Sequence, residues 1–318
     1  MNKKPQEYTR KSGVSYVVIT ADQSGRRIDN YLLSYLKDIP KTRIYKMLRK
    51  GEVRVNRARV KQDYKLQKQD VVRIPPVYQS GQDKRRPEPS PSLQGLIYRH
   101  IIHEDEHLLV INKPPGLAVH SGTNDAFGLI EILRAMRPDD SFLELVHRLD
   151  KSTSGCLMIA RNHRLLRDLH KLLKQNRVSK TYQALLKGKI SRSRVVDSPL
   201  SRRAGDHGKK HIQINQSGKP SISRFTPVKV FSGATLARVE IDTGRTHQIR
   251  VHAASIGHPV AGDKKYGDSE FNRSLRQLGL KRMFLHAETL SLVLPYTRER
   301  VSFRAPIPED LQTLLDKI

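Results

Sequence analysis

Two hydrophobic periods run through this chain, one of about 3.6 residues and one of two, and together they predict a mixed α and β protein with several short strands. The first 13 residues carry no apolar period and are expected to be mobile. Order is expected from Val14, at the start of VSYVVIT. Ile28, Leu32, Leu33 and Leu36 recur at helical spacing. KTRIYKMLRKG, after Pro40, predicts a second helix with Ile44, Met47 and Leu48 inward and Gly51 ending it. EVRVNRARV reads as a hairpin-like segment with Val53 and Val55 on one face, and Asp70 to Pro75 closes the unit with a short strand. Residues 14–77 thus make a small unit. Residues 78–95, rich in Pro, Ser, Gly and charge, read as a flexible linker.

Residues 96–318 carry a larger unit. Leu108 to Ile111 is a buried-strand pattern halted by Lys113-Pro114-Pro115-Gly116, and residues 128–136 predict a helix. VHRLDKSTSGCLMIA, residues 146–160, is extended, then a polar turn, then a short apolar strand. Asn162 is placed to cap a helix whose buried stripe is Leu165, Leu169, Leu172 and Leu173. Val178, Lys180, Tyr182, Ala184 and Leu186 share one face of the strand predicted in RVSKTYQALLKGKI. A lysine beside a tyrosine there either snorkels over the ring or lines a pocket. Residues 191–220 are basic and irregular, and read as an insertion or hairpin loop. After a strand at 234–241, Thr246 is expected to cap a helix with Ile249, Ala253 and Ile256 buried, stopped by Gly257 and Pro259.

Composition narrows the partners. At 318 residues the chain suits two domains. Lys and Arg total 59 against 31 Asp and Glu, a formal net charge of +28. A one-sided charge of that size attracts polyanions, and nucleic acid is the default. No apolar run approaches a spanning helix, no basic amphipathic anchor stands out, and the amino terminus lacks the apolar core of a signal peptide; no membrane partner is expected. A single cysteine excludes an internal disulfide framework and fits a reducing cytoplasm. His103-Glu104-Asp105-Glu106-His107 spells the H-E-x-x-H zinc pattern, but that motif works on a helix, and here an acidic turn leads into a strand; no metal is expected. Arg43, Lys46 and Lys50, at three- and four-residue steps, form a cationic stripe that is either a solvated face or a phosphate-tracking one.

The candidate chemistry centres on the turn Asp150-Lys151-Ser152-Thr153-Ser154-Gly155. Its one carboxylate stands beside Arg148, Lys151 and three hydroxyls. A cationic neighbour or hydroxyl donors favour the ionised form, which suits a nucleophile; alternatively the turn residues bond only to nearby amides. On the later helix His247, Arg250 and Ala254 share a face, and an inward Arg250 needs an anion, for which Asp150 is the obvious candidate.

RRIDNYL, a basic second helix, KGEVRVN and a late LxxxDVV resemble the ribosomal-protein-S-four-type RNA-binding domain, with Arg57 standing where that family often has glycine. INKPPGLAVH, HRLDKSTSG, SKTYQALLKG, TGRTHQIRVH and FLHAETL resemble the pseudouridine synthases, in the branch that acts on large-subunit ribosomal and some transfer RNAs. The resemblance implies an α+β catalytic domain around a mixed, mainly antiparallel sheet, beside a small α/β RNA-binding domain. It implies that uracil is detached from carbon 1 of its ribose, turned and rejoined through carbon 5, with no cofactor. Residue by residue it implies Asp150 as nucleophile or ribose-proton acceptor, Tyr182 stacked on the target base and Arg250 paired with Asp150. It further implies Arg148 filling the gap left by the flipped nucleotide and Leu285 as an apolar wall. Lys180, Arg245, His247 and Lys113 are the remaining substrate-contact candidates, with Arg43, Lys46 and Lys50 as RNA contacts of the smaller unit. The expected partner is large-subunit ribosomal RNA or its assembly particle, and the expected enzyme is a monomer that modifies several uridines. A sister enzyme for other uridines and a non-catalytic RNA-binding assembly protein are the alternatives.

Overall fold

A computed structural model describes residues 8–10, 13–36, 39–80, 88–121, 127–204 and 210–318. The chain divides into two compact units, Met1–Glu88 and Pro89–Ile318.

In the first unit β1 (Tyr8–Arg10) and β2 (Ser15–Val18) precede helices α1 (Ile28–Tyr35) and α2 (Lys41–Lys50), followed by β3 (Arg54–Val55), β4 (Val71–Ile74) and β5 (Tyr78–Ser80). A three-stranded sheet in the order β2-β4-β3 packs Val55, Val72 and Ile74 against Ile28, Leu32, Ile44, Met47 and Leu48. Helix α2 buries Ile44, Met47 and Leu48 as its period predicts; of the stripe expected for α1, Ile28 and Leu32 are buried, Leu33 is half-buried, and Leu36 is buried just past the helix end. Asn56 and Arg57 have φ of 49° and 69°. Two consecutive positive φ values are the signature of a type I′ turn, so Arg57 holds a left-handed conformation that glycine adopts without strain. The Asn56 amide locks the turn by donating to Asp70 (2.8 Å) and accepting from the Val71 amide (2.8 Å). Two expectations need correction. Tyr8–Arg10, expected to be mobile, pairs antiparallel with β5, which lies in the stretch expected to be linker. Such pairing is made by backbone groups and leaves no mark in hydropathy. Residues 1–7, 11–12 and 81–87 lie outside the described residues.

The second unit opens with α3 (Pro91–Arg99), which also begins inside the expected linker. Ser90 accepts from the Leu93 amide and Pro91 occupies the first turn, so the Pro and Ser residues that suggest a linker are a helix start. Then come β6 (Ile101–Glu104), β7 (Leu108–Lys113), α4 (Leu129–Met136), β8 (Glu144–Leu145), β9 (Ser154–Ala160), α5 (His163–Lys174) and β10 (Ser179–Lys187). They are followed by β11 (Arg194–Asp197), β12 (Leu200–Ala204), β13 (Lys210–Ile214), β14 (Ile222–Val230), β15 (Ala234–Ile241), α6 (Gln248–Ser255), α7 (Ser269–Gln277), β16 (Leu285–Val293), β17 (Arg300–Arg304) and α8 (Glu309–Leu315). One ten-stranded sheet runs β11-β14-β15-β10-β16-β9-β7-β6, with β17 also on β16 and β8 on β9. Every pairing in it is antiparallel except β9 with β16. The mixed, mainly antiparallel sheet expected above is present. The basic stretch 191–220 is more regular than its composition suggests: it holds edge strand β11 and the β12–β13 hairpin.

The sheet has a core on each face. Leu109 and Ile111 of β7 and Leu157 and Ile159 of β9 point to one, with α4 residues Ile132 and Leu133. The alternate residues Leu108, Val110, Cys156 and Met158 point to the other, against Leu165 and Leu169 of α5. Asn162 caps α5 by accepting from the Leu165 amide, as expected. Tyr182, Ala184 and Leu186 lie in the first core, but Val178 lies in the second. Val178 precedes β10, and the pairing with β16 skips Glu288 between Thr181 and Tyr182.

The parallel pairing is short, His286 to Ser154 and Ala287 to Gly155. It sets the entry to β9, and with it the Asp150 turn, beside the start of β16. Gly155 has φ 114°, and a Cβ there would stand 2.2 Å from the Ala287 carbonyl oxygen. Backbone cannot yield as a flexible side chain can. Gly155→Ala is therefore expected to lower stability by about 3 kcal/mol in urea unfolding. Gly233→Ala, where a Cβ meets nothing within 4 Å, is the matched control and should change it little.

Candidate active site

The two strand starts, the end of β15 and the beginning of α6 converge on one pocket. Arg148, Asp150, Tyr182, Arg245, His247, Arg250 and Leu285 all line it. The sequence spacing of these residues is large; the sheet register brings them together. The pocket volume is about 60 Å³. A cavity that accepts a six-membered ring is nearer ~150 Å³, so the pocket must widen to hold a pyrimidine. Arg148, exposed on its rim, is the side chain whose movement would open it.

At its floor the Arg250 guanidinium joins two carboxylates. Nη1 donates to Asp150 Oδ2 (2.9 Å), while Nε and Nη2 donate to Asp263 Oδ2 and Oδ1 (2.7 and 2.8 Å). Side-chain exposure falls from 16% at Asp150 through 9% at Arg250 to 0% at Asp263. Burial opposes the charge on Arg250, but the Asp263 hydrogen bonds and the charges of Asp263 and Asp150 outweigh it and raise its pKa above the ordinary arginine value. Burial likewise opposes ionisation of Asp263; Arg250 and the amides of Lys265 and Tyr266 reverse the balance and lower its pKa. The predicted Asp150–Arg250 pair is present, and Asp263 is the residue that sequence reasoning missed. Its signal was the short AGDKKYG segment following the helix, where an acid sits between two glycines. Nothing in spacing alone singles it out over any other aspartate.

Tyr182 is almost wholly buried. Burial first, then the Asp150 charge, pushes its hydroxyl up, so the ring enters chemistry with its proton in place. Leu285 forms the apolar wall. His247 precedes α6 in a left-handed conformation, φ 55°, and Thr246 does not cap the helix as expected. The buried Gln248 side chain organises this corner instead. Its Oε1 accepts from Thr243 Oγ1 (2.7 Å) and the Arg245 amide (3.0 Å), and its Nε2 donates to the Ile222 carbonyl (2.8 Å). The Ile212 amide donates to Tyr266 Oη (3.2 Å), which lies 2.9 Å from His247 Nδ1. The other ring nitrogen, Nε2, lies 3.8 Å from Asp150 Oδ2. Burial lowers the His247 pKa against the pull of Asp150, which keeps the ring neutral.

Other candidates are placed differently. Lys113, expected to face phosphate, is fully buried. Its ammonium donates to the carbonyls of Pro114 (2.8 Å), Leu117 (3.0 Å) and Lys151 (3.3 Å), tying strand β7 to the turn after Asp150. Burial, followed by repulsion from Arg282, pushes it down to about 7. Lys180 is buried too, pairs with Leu290 of the second core, and is absent from the pocket lining. Arg245 is exposed and donates to the Pro220 carbonyl. In the other unit Lys46 and Lys50 are exposed on α2, and Arg43 pairs with Glu52 at 3.0 Å. His103–His107 spans the turn between β6 and β7 rather than a helix; His103 bonds to Asp105 and His107 pairs with Glu106. Among the described residues, no three His, Cys, Asp or Glu side chains are grouped to hold a metal, and no helix is long and apolar enough to cross a membrane.

A carboxylate, a tyrosine ring and an arginine bound to that carboxylate thus share one pocket. Residues 107–255 match the RNA pseudouridylate synthase family, and residues 26–72 match the S4 domain. The solved human RNA pseudouridylate synthase domain containing 4 is 26% identical with a TM-score of 0.58, covering 71% of this chain and 95% of its own. The chain belongs to the RNA pseudouridylate synthases, with an S4 domain before the catalytic unit. Among curated relatives it is 45% identical over 316 residues to ribosomal large subunit pseudouridine synthase C of Pasteurella multocida, covering 99% of this chain and 97% of the relative. It is 46% identical over 313 residues to the protein of that name in Escherichia coli K12, with 98% of each covered.

Two outcomes are expected for the floor of the site. Asp263→Asn keeps the shape but presents an amide N–H to the guanidinium; unfolding should show a loss of about 3 kcal/mol, and single-turnover kinetics a fall in rate rather than in RNA affinity. Wild-type rate and stability in this variant would show Asp263 to be idle. For Lys113, the unfolded side chain holds its proton up to about 10.5 and the folded one only to about 7. Between those values the unfolded state binds the extra proton, so this group's contribution to stability rises with pH and is lost as pH falls through about 7. The stability difference between wild type and Lys113→Met should therefore shift in favour of wild type from pH 7 to 10 in urea titrations.

Proposed function

We propose that this protein isomerises several uridines of large-subunit ribosomal RNA to pseudouridine, on free 23S RNA or an assembly particle in the cytoplasm. The observation that carries the site assignment is the Asp150 carboxylate, held by Arg250 at 2.9 Å in a pocket walled by Tyr182 and Leu285. The substrate assignment draws on the relatives, matched over nearly their whole length and named for the large ribosomal subunit. The lone thiol, Cys156, is buried and pushed up to about 12, an inert group that suits a reducing compartment.

The target nucleotide leaves the stack and its base enters against Tyr182, while Arg148 reaches into the space it vacates. Unstacking costs a few kcal/mol, offset by stacking in the pocket and by phosphate contacts elsewhere. Asp150 acts on the nucleotide either by adding to it or by taking a proton from the ribose. The bond from N1 to C1′ breaks, the uracil turns, and C5 bonds to C1′. The C5 hydrogen leaves as a proton and N1 acquires one, so the product is an isomer and no electrons are exchanged. The Tyr182 hydroxyl lines the same pocket and holds its own proton, so it relays the C5 proton only by giving up its own as it takes the other. Arg250 aims the carboxylate through its hydrogen bond, and Asp263 keeps Arg250 in place. Exposed Lys46 and Lys50 on α2 supply phosphate contacts from the S4 unit.

Asp150→Asn should reduce pseudouridine formation by about 10³-fold or more while leaving RNA affinity close to wild type. Carbodiimide mapping of ribosomal RNA, from cells with the wild-type gene, the variant or neither, reads which uridines depend on it. A fully active Asn variant would remove Asp150 from the mechanism, and unchanged maps without the gene would remove the substrate.

A further inference from the structure

A second cavity, of about 410 Å³, shares Arg250 with the catalytic pocket. Its wall comes from the residues after Asp150, from the Gly262–Lys265 turn and from Lys281–Met283. Five cationic side chains line it besides Arg250: Lys151, Lys264, Lys265, Lys281 and Arg282. The one carboxylate in the lining, Asp263, is consumed by Arg250 and by the amides of Lys265 and Tyr266. Arg282 is held by Asp310 at 2.6 and 3.0 Å. Lys264 and Lys281 are exposed and have no ion-pair partner among the described residues. The charge at this wall is therefore in excess, beside a concavity, with a rim that solvent and a strand can reach. The buried Lys113 ammonium feels the same field through Arg282.

Excess positive charge around a cavity is a site for an anion, and a guanidinium common to two cavities places them side by side. A nucleotide whose base occupies the first has its flanking linkages within reach of the second. We propose that this cavity holds a phosphodiester of the RNA strand next to the target uridine, gripped by Lys264 and Lys281. The placement rests on the reading of the Asp150 pocket as the uridine site. It gives these lysines a role apart from the S4 unit: they fix the strand at the reacting nucleotide.

The test reads RNA affinity of the full chain, in wild type and in Asp150→Asn, so its result stands whatever becomes of the assigned mechanism. Lys264→Ala with Lys281→Ala should weaken binding to a large-subunit RNA fragment about tenfold. It should also lower the slope of log K against log salt by roughly 0.7–0.9 for each phosphate that is no longer neutralised. The melting temperature should not change, since both side chains are exposed. Lys171→Ala with Lys174→Ala, on α5, is the control pair and should leave the slope as it is. A neutral methylphosphonate at the linkage flanking the target uridine should weaken wild type but not the double variant. Unchanged affinity and slope would overturn the proposal. So would additive effects of lysines and linkage, which would mean that they do not meet. Inorganic phosphate stabilising wild type but not the double variant, with RNA affinity unaltered, would identify a free-anion site and overturn it as well.

Discussion

The Asp150–Arg250–Asp263 triad is the interaction on which the catalytic unit depends. Burying three charged groups is costly, and the cost is offset only where geometry and hydrogen bonding are nearly complete. Here three guanidinium nitrogens each meet a carboxylate oxygen at 2.7–2.9 Å, and backbone amides complete Asp263. The consequence is directional. Asp263 is sealed and takes two of the three bonds, so it anchors the guanidinium; Asp150, more exposed and singly bonded, is the carboxylate left available for chemistry. One arginine thus divides two aspartates into a structural and a reactive partner.

The triad joins segments a hundred residues apart, and the sheet makes that junction. The short parallel pairing of β9 with β16 sets the Asp150 turn beside Leu285, and Gly155 allows the two backbones to close. Antiparallel pairing then carries Tyr182 next to Ala287. Lys113 adds a tie from below, its ammonium bonded to the carbonyl of the residue after Asp150. The pocket floor is tied by these pairings and bonds, and the exposed Arg148 stands in its lining.

Positive charge is distributed by task. The S4 unit carries exposed lysines and arginines on a helix whose other face is core. In the catalytic unit Arg250 is buried and committed to aspartates and Lys113 to carbonyls, while Arg148 and Arg245 stand exposed at the same pocket as Arg250. Around the second cavity Lys151, Lys264 and Lys281 are exposed. A net charge of +28 is therefore not a uniform coat; buried cations hold carboxylates and carbonyls while others stay on the surface.

Much of this was legible in the residues themselves. Helices α1, α2, α4 and α5 follow from apolar period and caps, because a helix face is encoded by neighbours three and four apart. The motif segments marked Asp150, Tyr182 and Arg250, and the unmet charge of an inward arginine pointed to a carboxylate. Other features were decided by tertiary structure. Lys113 reads as a substrate contact until burial turns its ammonium onto three carbonyls, and Lys180 is buried opposite Leu290 rather than in the pocket lining. Tyr8–Arg10 and Tyr78–Ser80 pair through backbone groups that every sequence possesses. Asp263 became the second partner of Arg250 only when the turn after α6 folded back on it. The sequence by itself determined which groups could react and which faces must be buried, since both are properties of side chains and their local period. Which aspartate holds the arginine, which lysines are buried and which segments line the pocket were settled by long-range packing, because charge and burial take their meaning from neighbours distant in the chain.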